Sequence, residues 1–591
     1  MKRCLAILIL LALLPVSVPA RGASHAVETK TVPVYCTDDR DIRSAEDMVL
    51  IPDLTLYYLD GAADLPYADL TDFVGLMNSV AAFDARDPFG GEIAPKEDYA
   101  FSIDEGRSVF TCTYRPRQSH VIIDFDRGTV TYTCPDTFGK DPAHSPFEIQ
   151  TNELAFLERV YDPRVSRLGG ERTLDLSSYG IPMAVEDGRY LLPLHTAFDL
   201  LMWVADAPVR ILCCNGAAVF IGPRSSMFGW SDAPSDLGQI YFSQPPAFRS
   251  PELAEYGYNE LCLILDHFYG LKDSHHIGSF RSFFRNNGYE EKLLSPDPAQ
   301  ADQALLDTVR FALNDFHSHF DFASWMAGPE EDLGYEGEGL SSAIQDRTEE
   351  AFKKAFEFSG MDPLEFYSES GDTAYLTLYA MSTTVTGERF YSMDPGDKEN
   401  IAFMDVVEEI LYAHGRIIRE NSPIKNVVLD LSHNPGGDVN SAACALSWFL
   451  GEGYVTIANS FSGGLGVGQY RADIDRDRQF TDGDTLRGKK KLFCLISPET
   501  FSSANLTAAM LKMSGEVTLI GRTTKGGSGI VTPTVTGWDS ILTLSGFRTV
   551  VTVKNGSWYD ADTGVAPDVY LSDPALFYDR DRLTLLIDAI P

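Results

Sequence analysis

Residues Asn426–Gly437 read NVVLDLSHNPGG, an apolar run that ends in a polar segment with two glycines. A short apolar run rich in β-branched residues predicts a buried strand of a parallel sheet. Residues 439–450 continue with helical apolar spacing. The glycines let backbone N–H groups face a ligand, and the helix N-terminus adds a positive dipole. The stretch therefore predicts an anion-holding junction, although a plain Gly-Gly turn would explain the same residues.

A second junction of this kind lies at residues 494–505, which read CLISPETFSSAN and lead into an apolar helix. Ser502 falls at the start of that helix, where its hydroxyl would lie exposed above the sheet. The next N–H group, that of Ser503, points at the same space and could stabilise an oxyanion. The alternative is that Ser502 or Ser503 only caps the helix, as serine often does.

Strands and helices alternate around both junctions, which predicts an α/β domain over residues 370–591. The predicted strands are Tyr375–Tyr379, Asn426–Leu431, Lys491–Ser497, Val517–Gly521 and a hairpin-like stretch, Ile541–Val553. Residues 236–345 have helical spacing and are predicted to form a helical domain. The acidic stretch Gly328–Glu338 is predicted to be a surface loop within it.

Two further motifs follow the junctions: GRTTKGG at residues 521–527 and GVAPD at residues 564–568. The four motifs, in this order and spacing, resemble those of the tail-specific or C-terminal processing serine peptidases. The tricorn-like and interphotoreceptor-retinoid-binding relatives belong to the same group. The resemblance covers about residues 311–571 and implies a crotonase-like (ClpP/crotonase) fold.

The resemblance also implies the roles of several residues in acyl transfer. Ser502 is the nucleophile, and Ser503 forms the oxyanion hole with Gly436 or Gly437. Because a serine hydroxyl is a weak nucleophile at its free pKa, a base must activate it.

The base is predicted to be a histidine. Processing members place a lysine where this chain has Gly527, and Lys525 lies two residues earlier. Lys525 and Thr524 are therefore only auxiliary candidates. Tricorn-like members take a histidine from a D-x-H segment, which residues 315–317 match, so His317 is the predicted base and His319 its close rival.

A histidine base needs an acceptor that fixes its tautomer. Tricorn-like members carry a carboxylate shortly before the GVxPD motif, and here Asp560 and Asp562 flank that position. Either residue can be the orienting acid. Asn505 replaces the family's glutamate after the nucleophile, which removes a charge from the nucleophile helix.

An acidic loop offers a candidate calcium site. Asp473, Asp475, Asp477 and Asp484 alternate in the manner of a calcium-binding loop. The sixth position is Arg478 rather than glycine, so a solvated acidic loop is the alternative. No cofactor is required by the predicted chemistry.

The N-terminal half predicts an α+β region of two related units over residues 27–235. Each unit combines a strand, a short motif, a helix and a closing hairpin: the first has a strand at 56–61 and a hairpin at 120–134, the second a strand at 179–185 and a hairpin at 210–221. The units resemble the repeats of the N-terminal domains of copper amine oxidases and of Gram-positive surface proteins. Such a region could bind protein or cell-wall glycan.

The N-terminal residues and the net charge predict where the protein is located and argue against one class of partner. Residues 1–26 have the charge and apolar pattern of a signal peptide, which predicts a secreted or cell-surface protein without a stable membrane span. The formal net charge of −37 argues against nucleic-acid binding.

The predicted function is a secreted serine-type peptidase, either an endopeptidase or a carboxy-terminal peptidase, acting on peptides or proteins. The short segment between His317 and the first core strand leaves no room for a peptide-binding PDZ insert. One alternative is a catalytically inactive binding protein that retains the peptidase fold. A second is an acidic scaffold stabilised by calcium.

Overall fold

A computed structural model of the chain describes most of its length. The described residues are 25–37, 48–84, 97–140, 145, 147, 154–161, 165–204, 210–223, 236–243, 245–313, 315–328, 340–360, 365–554, 557–559 and 561–590. Residues 1–24 of the predicted signal peptide and most of the predicted acidic loop at 328–338 lie outside these residues. No helix within the described part of the chain has the length and apolarity needed to cross a membrane.

Helices in the described residues concentrate after residue 236. In chain order the α-helices are α1 Leu70–Asp84, α2 Leu176–Tyr179, α3 Leu194–Phe198, α4 Asp236–Tyr241, α5 Pro251–Phe268, α6 Phe280–Asn287, α7 Glu290–Leu293, α8 Pro298–Asp307, α9 Leu340–Ser359, α10 Gly387–Ser392, α11 Val406–Ile418, α12 Val439–Leu450, α13 Ser502–Ser514 and α14 Arg580–Asp588. Two π-helical turns lie at Asp199–Trp203 and Thr308–Ala312, and 3₁₀ turns at Trp325–Ala327, Lys398–Asn400, Asp482–Asp484 and Pro574–Phe577.

The N-terminal region contains two antiparallel-rich sheets. Its strands are β1 Val27–Cys36, β2 Val49–Leu59, β3 Tyr67–Asp69, β4 Tyr99–Asp104, β5 Val109–Tyr114, β6 Ser119–Asp124, β7 Thr129–Tyr132, β8 Leu157–Tyr161, β9 Arg172–Asp175, β10 Ala184–Glu186, β11 Arg189–Pro193, β12 Arg210–Cys214 and β13 Val219–Pro223. One sheet has the order β10-β11-β3-β2-β1-β13-β12 and the other β4-β5-β6-β7-β9. The closing hairpins predicted at 120–134 and 210–221 correspond to β6–β7 and β12–β13.

The strand predicted at 179–185 differs from the structure. Helix α2 ends at Tyr179, and Gly180 follows in the left-handed region with φ +75°. A glycine in this conformation ends a helix and turns the chain, so the strand starts only at Ala184. The likeness to copper amine oxidase repeats stays a prediction.

The C-terminal part is a mixed α/β domain with two sheets. Its strands are β14 His319–Phe322, β15 Tyr367–Ser370, β16 Thr373–Thr377, β17 Asn426–Asp430, β18 Gly453–Asn459, β19 Leu465–Ala472, β20 Lys491–Ile496, β21 Val517–Gly521, β22 Gly529–Val535, β23 Ile541–Lys554, β24 Ser557–Tyr559 and β25 Val569–Tyr570. The first sheet has the order β15-β16-β17-β20-β21-β25 and is parallel from β16 to β25. Strands β16 and β17 are buried along their whole length, as expected for central parallel strands covered by helices.

The hairpin predicted over 541–553 is a single long strand. Strand β23 pairs with β22, β18, β14 and β24. Gly546 lies within this strand, and a Cβ atom at this position would be 2.0 Å from Thr532 Oγ1 in the neighbouring strand β22. The glycine thus permits close strand packing rather than a turn.

Candidate active site

Two strand ends bring the predicted junctions together. Strands β17 and β20 are parallel neighbours, with Asp430 opposite Leu495. The turns that leave them therefore lie at the same edge of the sheet. Phe501 N–H donates to Asn434 O at 3.0 Å, and Thr500 Oγ1 donates to Leu431 O at 2.7 Å. These bonds fix the serine segment against the glycine turn.

Ser502 has an unusual backbone conformation at the start of α13. Its φ angle is +53°, and its N–H donates to Gly526 O at 2.9 Å. The left-handed region is sparsely used by residues with a side chain, and it concentrates at functional turns. The N-cap residue of α13 is Phe501, and no side chain in the described part of the chain makes a capping hydrogen bond to this helix. Ser502 therefore has no capping role.

The glycine turn touches the serine segment directly. A Cβ atom on Gly436 would lie 2.6 Å from Ser502 Cβ and 3.0 Å from Ser503 N. Gly436 N–H donates to Asn434 Oδ1 at 2.9 Å. Within the described residues, the N–H groups of Gly437 and Ser503 have no hydrogen-bond acceptor. These two groups are the available oxyanion donors beside Ser502.

His317 lies where the chain passes from the π-helical turn at 308–312 into β14. Its ring is 4.5 Å from the Phe501 ring, measured between centroids. Asp315 Oδ1 accepts the His317 N–H at 3.0 Å and the Ser545 hydroxyl at 3.0 Å. Since β14 pairs with β23 and Ser545 lies in β23, these bonds fix the His317 backbone to that strand.

The environment of His317 favours the neutral imidazole. Burial lowers its pKa below the ordinary value of 6.5, and it outweighs the opposing effect of the Asp315 and Asp562 carboxylates. Nδ1 is buried and has no hydrogen-bond partner in the described part of the chain. The rival His319 is 46% exposed, and its Nε2 pairs with Asp321 Oδ1 at 3.1 Å.

A cavity of about 220 Å³ brings together four of the predicted site residues. His317, Gly437, Ser502 and Ser503 all line it. Its remaining walls are largely apolar and include Val439, Leu506, Ile530, Val531 and Val550. The arrangement places a hydroxyl, an imidazole and two backbone N–H groups around a space that could hold a side chain and a carbonyl group.

Asp562 lies next to this site but is engaged elsewhere. Its Oδ1 accepts the Ser528 N–H at 3.0 Å, and its Oδ2 lies 3.9 Å from His275 Nε2. Burial raises the pKa of Asp562, but the interactions with His275 and Ser528 outweigh it and leave the pKa below its ordinary value. The second candidate acid, Asp560, lies outside the described residues.

His275 is the site residue that the sequence did not indicate. Its pairing with Asp562 raises its pKa, against the effect of burial. The Tyr269 hydroxyl oxygen lies 3.3 Å from its Nδ1. It lies in the turn between α5 and α6, outside any motif, so the sequence gave no signal of this pairing.

The auxiliary candidates have structural contacts. Lys525 Nζ lies 4.4 Å above the Phe316 ring, and the residue is not part of the cavity lining. Thr524 Oγ1 donates to Asn505 Oδ1 at 2.6 Å, and Asn505 Nδ2 donates to Ala561 O at 3.0 Å. Asn505 thus connects α13 to two loops that border the cavity.

The acidic loop brings three of its four carboxylates together. Oxygen atoms of Asp473, Asp475 and Asp484 lie within 4.8 Å of one another. Asp477 is outside this group, and its Oδ1 accepts the Gln479 N–H at 2.7 Å.

Comparisons with known proteins identify the family of this domain. Residues 373–571 match the model of Peptidase family S41. No curated protein matches the chain. Similar solved structures include a photosystem II D1 C-terminal processing protease, with 19% identity and a TM-score of 0.24, where the match covers 34% of this chain and 42% of that one. Mature CPAF is 12% identical with a TM-score of 0.35, and the match covers 57% of this chain and 96% of that one. The tricorn protease is 11% identical with a TM-score of 0.29, and the match covers 96% of this chain and 60% of that one.

These TM-scores are low, so the assignment depends on the sequence match. The matched segment contains both junctions, from the glycine turn to Ser502 and the GVAPD motif. His317 lies before it. Residues 373–571, about a third of the chain, therefore form a peptidase family S41 domain.

Proposed function

We propose that the protein is a serine-type peptidase in which Ser502 is the nucleophile and His317 the general base. The observation that carries the proposal is the shared cavity: both side chains line it together with two backbone N–H groups that have no other acceptor among the described residues. A crotonase-like arrangement of the domain belongs to this proposal, supported by the parallel sheet and its two strand–turn–helix junctions.

The chemistry follows from these positions. Ser502 Oγ attacks the carbonyl carbon of a peptide bond while the His317 imidazole takes the hydroxyl proton. The Gly437 and Ser503 N–H groups stabilise the oxyanion, aided by the N-terminal end of α13. His317 then gives the proton to the leaving amine, and water hydrolyses the acyl-enzyme in a second passage through the same steps.

The cavity also suggests a feature of the substrate. The walls formed by Leu506, Ile530, Val531 and Val550 would accept an apolar side chain of a peptide next to the scissile bond. An endopeptidase and a carboxy-terminal peptidase are both compatible with such a pocket.

The second candidate is a catalytically inactive binding protein with the same fold. It is favoured by the unpartnered His317 Nδ1 and by the engagement of Asp562 with His275 and Ser528. In this state no described carboxylate orients the base. A peptide bound in the cavity would then be held without being cleaved.

Labelling with a fluorophosphonate probe separates the two candidates. We expect the parent protein and Ser503→Ala to be labelled, Ser502→Ala to remain unlabelled, and His317→Ala to react roughly 100- to 10,000-fold more slowly. Ser503→Ala is the matched control because its buried hydroxyl has no partner in the described residues. Thermal melting of each variant verifies its fold, and an unlabelled parent would favour the binding protein.

The setting of the enzyme is part of the proposal. The leader at residues 1–26 supports export, and the two related N-terminal units support a region that holds a protein or cell-wall glycan near the catalytic domain. Sequencing the N-terminus of protein recovered from the medium tests export. Binding of the chain from residue 27 onward to cell-wall fragments, compared with a mutant lacking the nucleophile, Ser502→Ala, tests the second idea without depending on catalysis.

A further inference from the structure

The loop between β19 and the 3₁₀ turn at Asp482–Asp484 gathers negative charge without neutralising it. Oxygen atoms of Asp473, Asp475 and Asp484 lie within 4.8 Å of one another. Within the described part of the chain, none of these carboxylates is ion-paired with lysine or arginine. Two oxygens that ligate one calcium ion at 2.3–2.6 Å from opposite sides are about 5 Å apart, so the spacing suits a single ion.

An independent observation concerns Asp473 alone. Its side chain is fully buried, at 0% exposure, and its Oδ1 atom has no hydrogen-bond partner among the residues that the structure describes. Its Oδ2 accepts the Tyr391 hydroxyl at 2.8 Å and the Arg478 N–H at 3.0 Å. A buried carboxylate oxygen without a donor is strongly destabilising. A cation between the three carboxylates would supply the missing partner.

The loop arginines are directed to other partners. Arg478 lies over the Tyr391 ring, 3.9 Å from its centroid. Arg476 Nη1 donates to Phe390 O at 3.2 Å and Met393 O at 2.7 Å. Both cations contact the helix α10 segment, so neither neutralises the three carboxylates.

The backbone of the loop fits a compact ion site. Arg478 adopts a φ of +65° at the position where calcium loops commonly have glycine. A Cβ atom on Gly483 would lie 2.2 Å from Asp475 Oδ2, so the glycine leaves room for this carboxylate in its present position. The departure from glycine at position 478 is therefore accommodated by the backbone.

We propose that Asp473, Asp475 and Asp484 bind one calcium ion that stabilises the peptidase domain. Carboxylate oxygens in flexible geometry are typical calcium ligands, whereas magnesium needs a stricter octahedron. The ion would join the end of β19 to α10 through Tyr391. It would also stabilise the segment whose Leu486 N–H donates to Trp448 O at 2.9 Å in α12, the helix that follows the glycine turn.

Terbium luminescence and thermal melting test this site in the full mature chain after chelator treatment. Tyr391, whose hydroxyl contacts Asp473, is placed to sensitise bound terbium. We expect terbium emission on excitation of tyrosine, its displacement by calcium, and an upward shift of the melting temperature in calcium. Asp475→Asn should weaken calcium binding by about tenfold or more, whereas Asp482→Asn, an exposed carboxylate of the same loop outside the group, should retain it.

The proposal is overturned if millimolar calcium leaves the melting temperature of the parent unchanged, or if Asp475→Asn responds to calcium as strongly as the parent. Asp475 is exposed, so its replacement by the similar asparagine keeps the fold testable. The readouts do not require peptidase activity, so the result is independent of the proposed function.

Discussion

The buried ring of His317 sets the pH at which the proposed nucleophile can be activated. Burial lowers the pKa of His317 below 6.5, and the neighbouring charge of His319 acts in the same direction, whereas Asp315 and Asp562 raise it. A base must be neutral to accept a proton. The His317 imidazole is therefore neutral at pH 7, and it becomes protonated only at a pH below 6.5.

We expect the acid limb of kcat/KM to have its midpoint below pH 6.5. In Asp562→Asn the carboxylate no longer raises the pKa of His317, so the midpoint should move to still lower pH. The measurement is kcat/KM against pH on a peptide substrate for both proteins, with Asp482→Asn as the control. A midpoint that moves upward in Asp562→Asn would contradict this account of the site.

Glu409 provides a separate prediction on stability. Burial raises the pKa of this fully buried carboxyl from 4.5 to about 8, and Asp405 and Glu408 add to the effect. The folded state therefore keeps a proton that the unfolded chain releases, so this stability is complete below pH 4.5 and is lost as the pH rises toward 8.

Between pH 5 and pH 8 we expect the parent protein to lose roughly 3 kcal/mol of unfolding free energy relative to Glu409→Gln, at about 1.4 kcal/mol for each pKa unit. The variant side chain cannot ionise, so it does not share this loss. Denaturant titrations at the two pH values measure the difference. Glu420→Gln, at an exposed position after the same helix, is the control. Equal pH dependence in Glu409→Gln and the parent would contradict the prediction.

At the residue scale the sequence predicted positions better than pairings. Ser502, His317 and Gly437 were recognisable because each lies in a motif, and the structure brings them to one cavity. The pairing of Asp562 with His275 was not predictable, because His275 has no motif and lies 287 positions earlier in the chain. Such a contact depends on how the helical region packs against the peptidase domain.

At the scale of elements, the turn between β17 and α12 must remain free of side chains. Gly436 has a φ of +99°, and a Cβ atom there would contact Ser502 Cβ at 2.6 Å. Gly515, which ends α13 at φ +72°, has no described atom within 4 Å of the corresponding Cβ position. The two glycines therefore have a similar backbone requirement but different surroundings.

We expect Gly515→Ala to lower the unfolding free energy by about 1 to 2 kcal/mol, the penalty of a left-handed backbone with a Cβ atom, without changing probe labelling. Gly436→Ala adds a Cβ atom 2.6 Å from Ser502 Cβ and 3.0 Å from Ser503 N. Because it would displace the nucleophile and the Ser503 oxyanion donor, it should slow labelling by about 100-fold or more. Parallel melting and labelling of both variants measure the two effects. Normal labelling of Gly436→Ala would remove the close contact from the mechanism.

Element prediction worked where the pattern is local. Strands β17, β20 and β21 follow from continuous apolar runs, and helix α12 follows from helical apolar spacing. Strands β14 and β8 were not predicted, because each is short and is stabilised by a partner far along the chain. Their pairing is a property of the assembled sheet and not of the local sequence.

At the scale of the whole molecule, the peptidase domain shares a sheet with residues that precede it. The order β14-β23-β18-β19-β8 places a strand from the N-terminal region on one edge and the strand after His317 on the other. Buried polar contacts add to this sharing. Asp136 Oδ1 accepts from Asn459 and Ser462, and His195 Nε2 lies 3.0 Å from Asp539 Oδ1.

We expect a fragment of residues 365–591, which includes the whole family match, to lack cooperative thermal unfolding. Without β8 and β14 both sheet edges are open, and Asp539 and Trp538 lose their partners His195 and Asp302 in the buried interior. Unpaired edges and unsatisfied buried polar groups are each strongly unfavourable. Near-ultraviolet circular dichroism during heating measures the loss against residues 27–591, and co-expression with residues 27–364 should restore the transition. A cooperative transition in the fragment alone would contradict this prediction. It would mean that residues 365–591 fold independently of the earlier regions, and that the position of His317 beside Ser502 depends on contacts that the fold of the peptidase domain does not need.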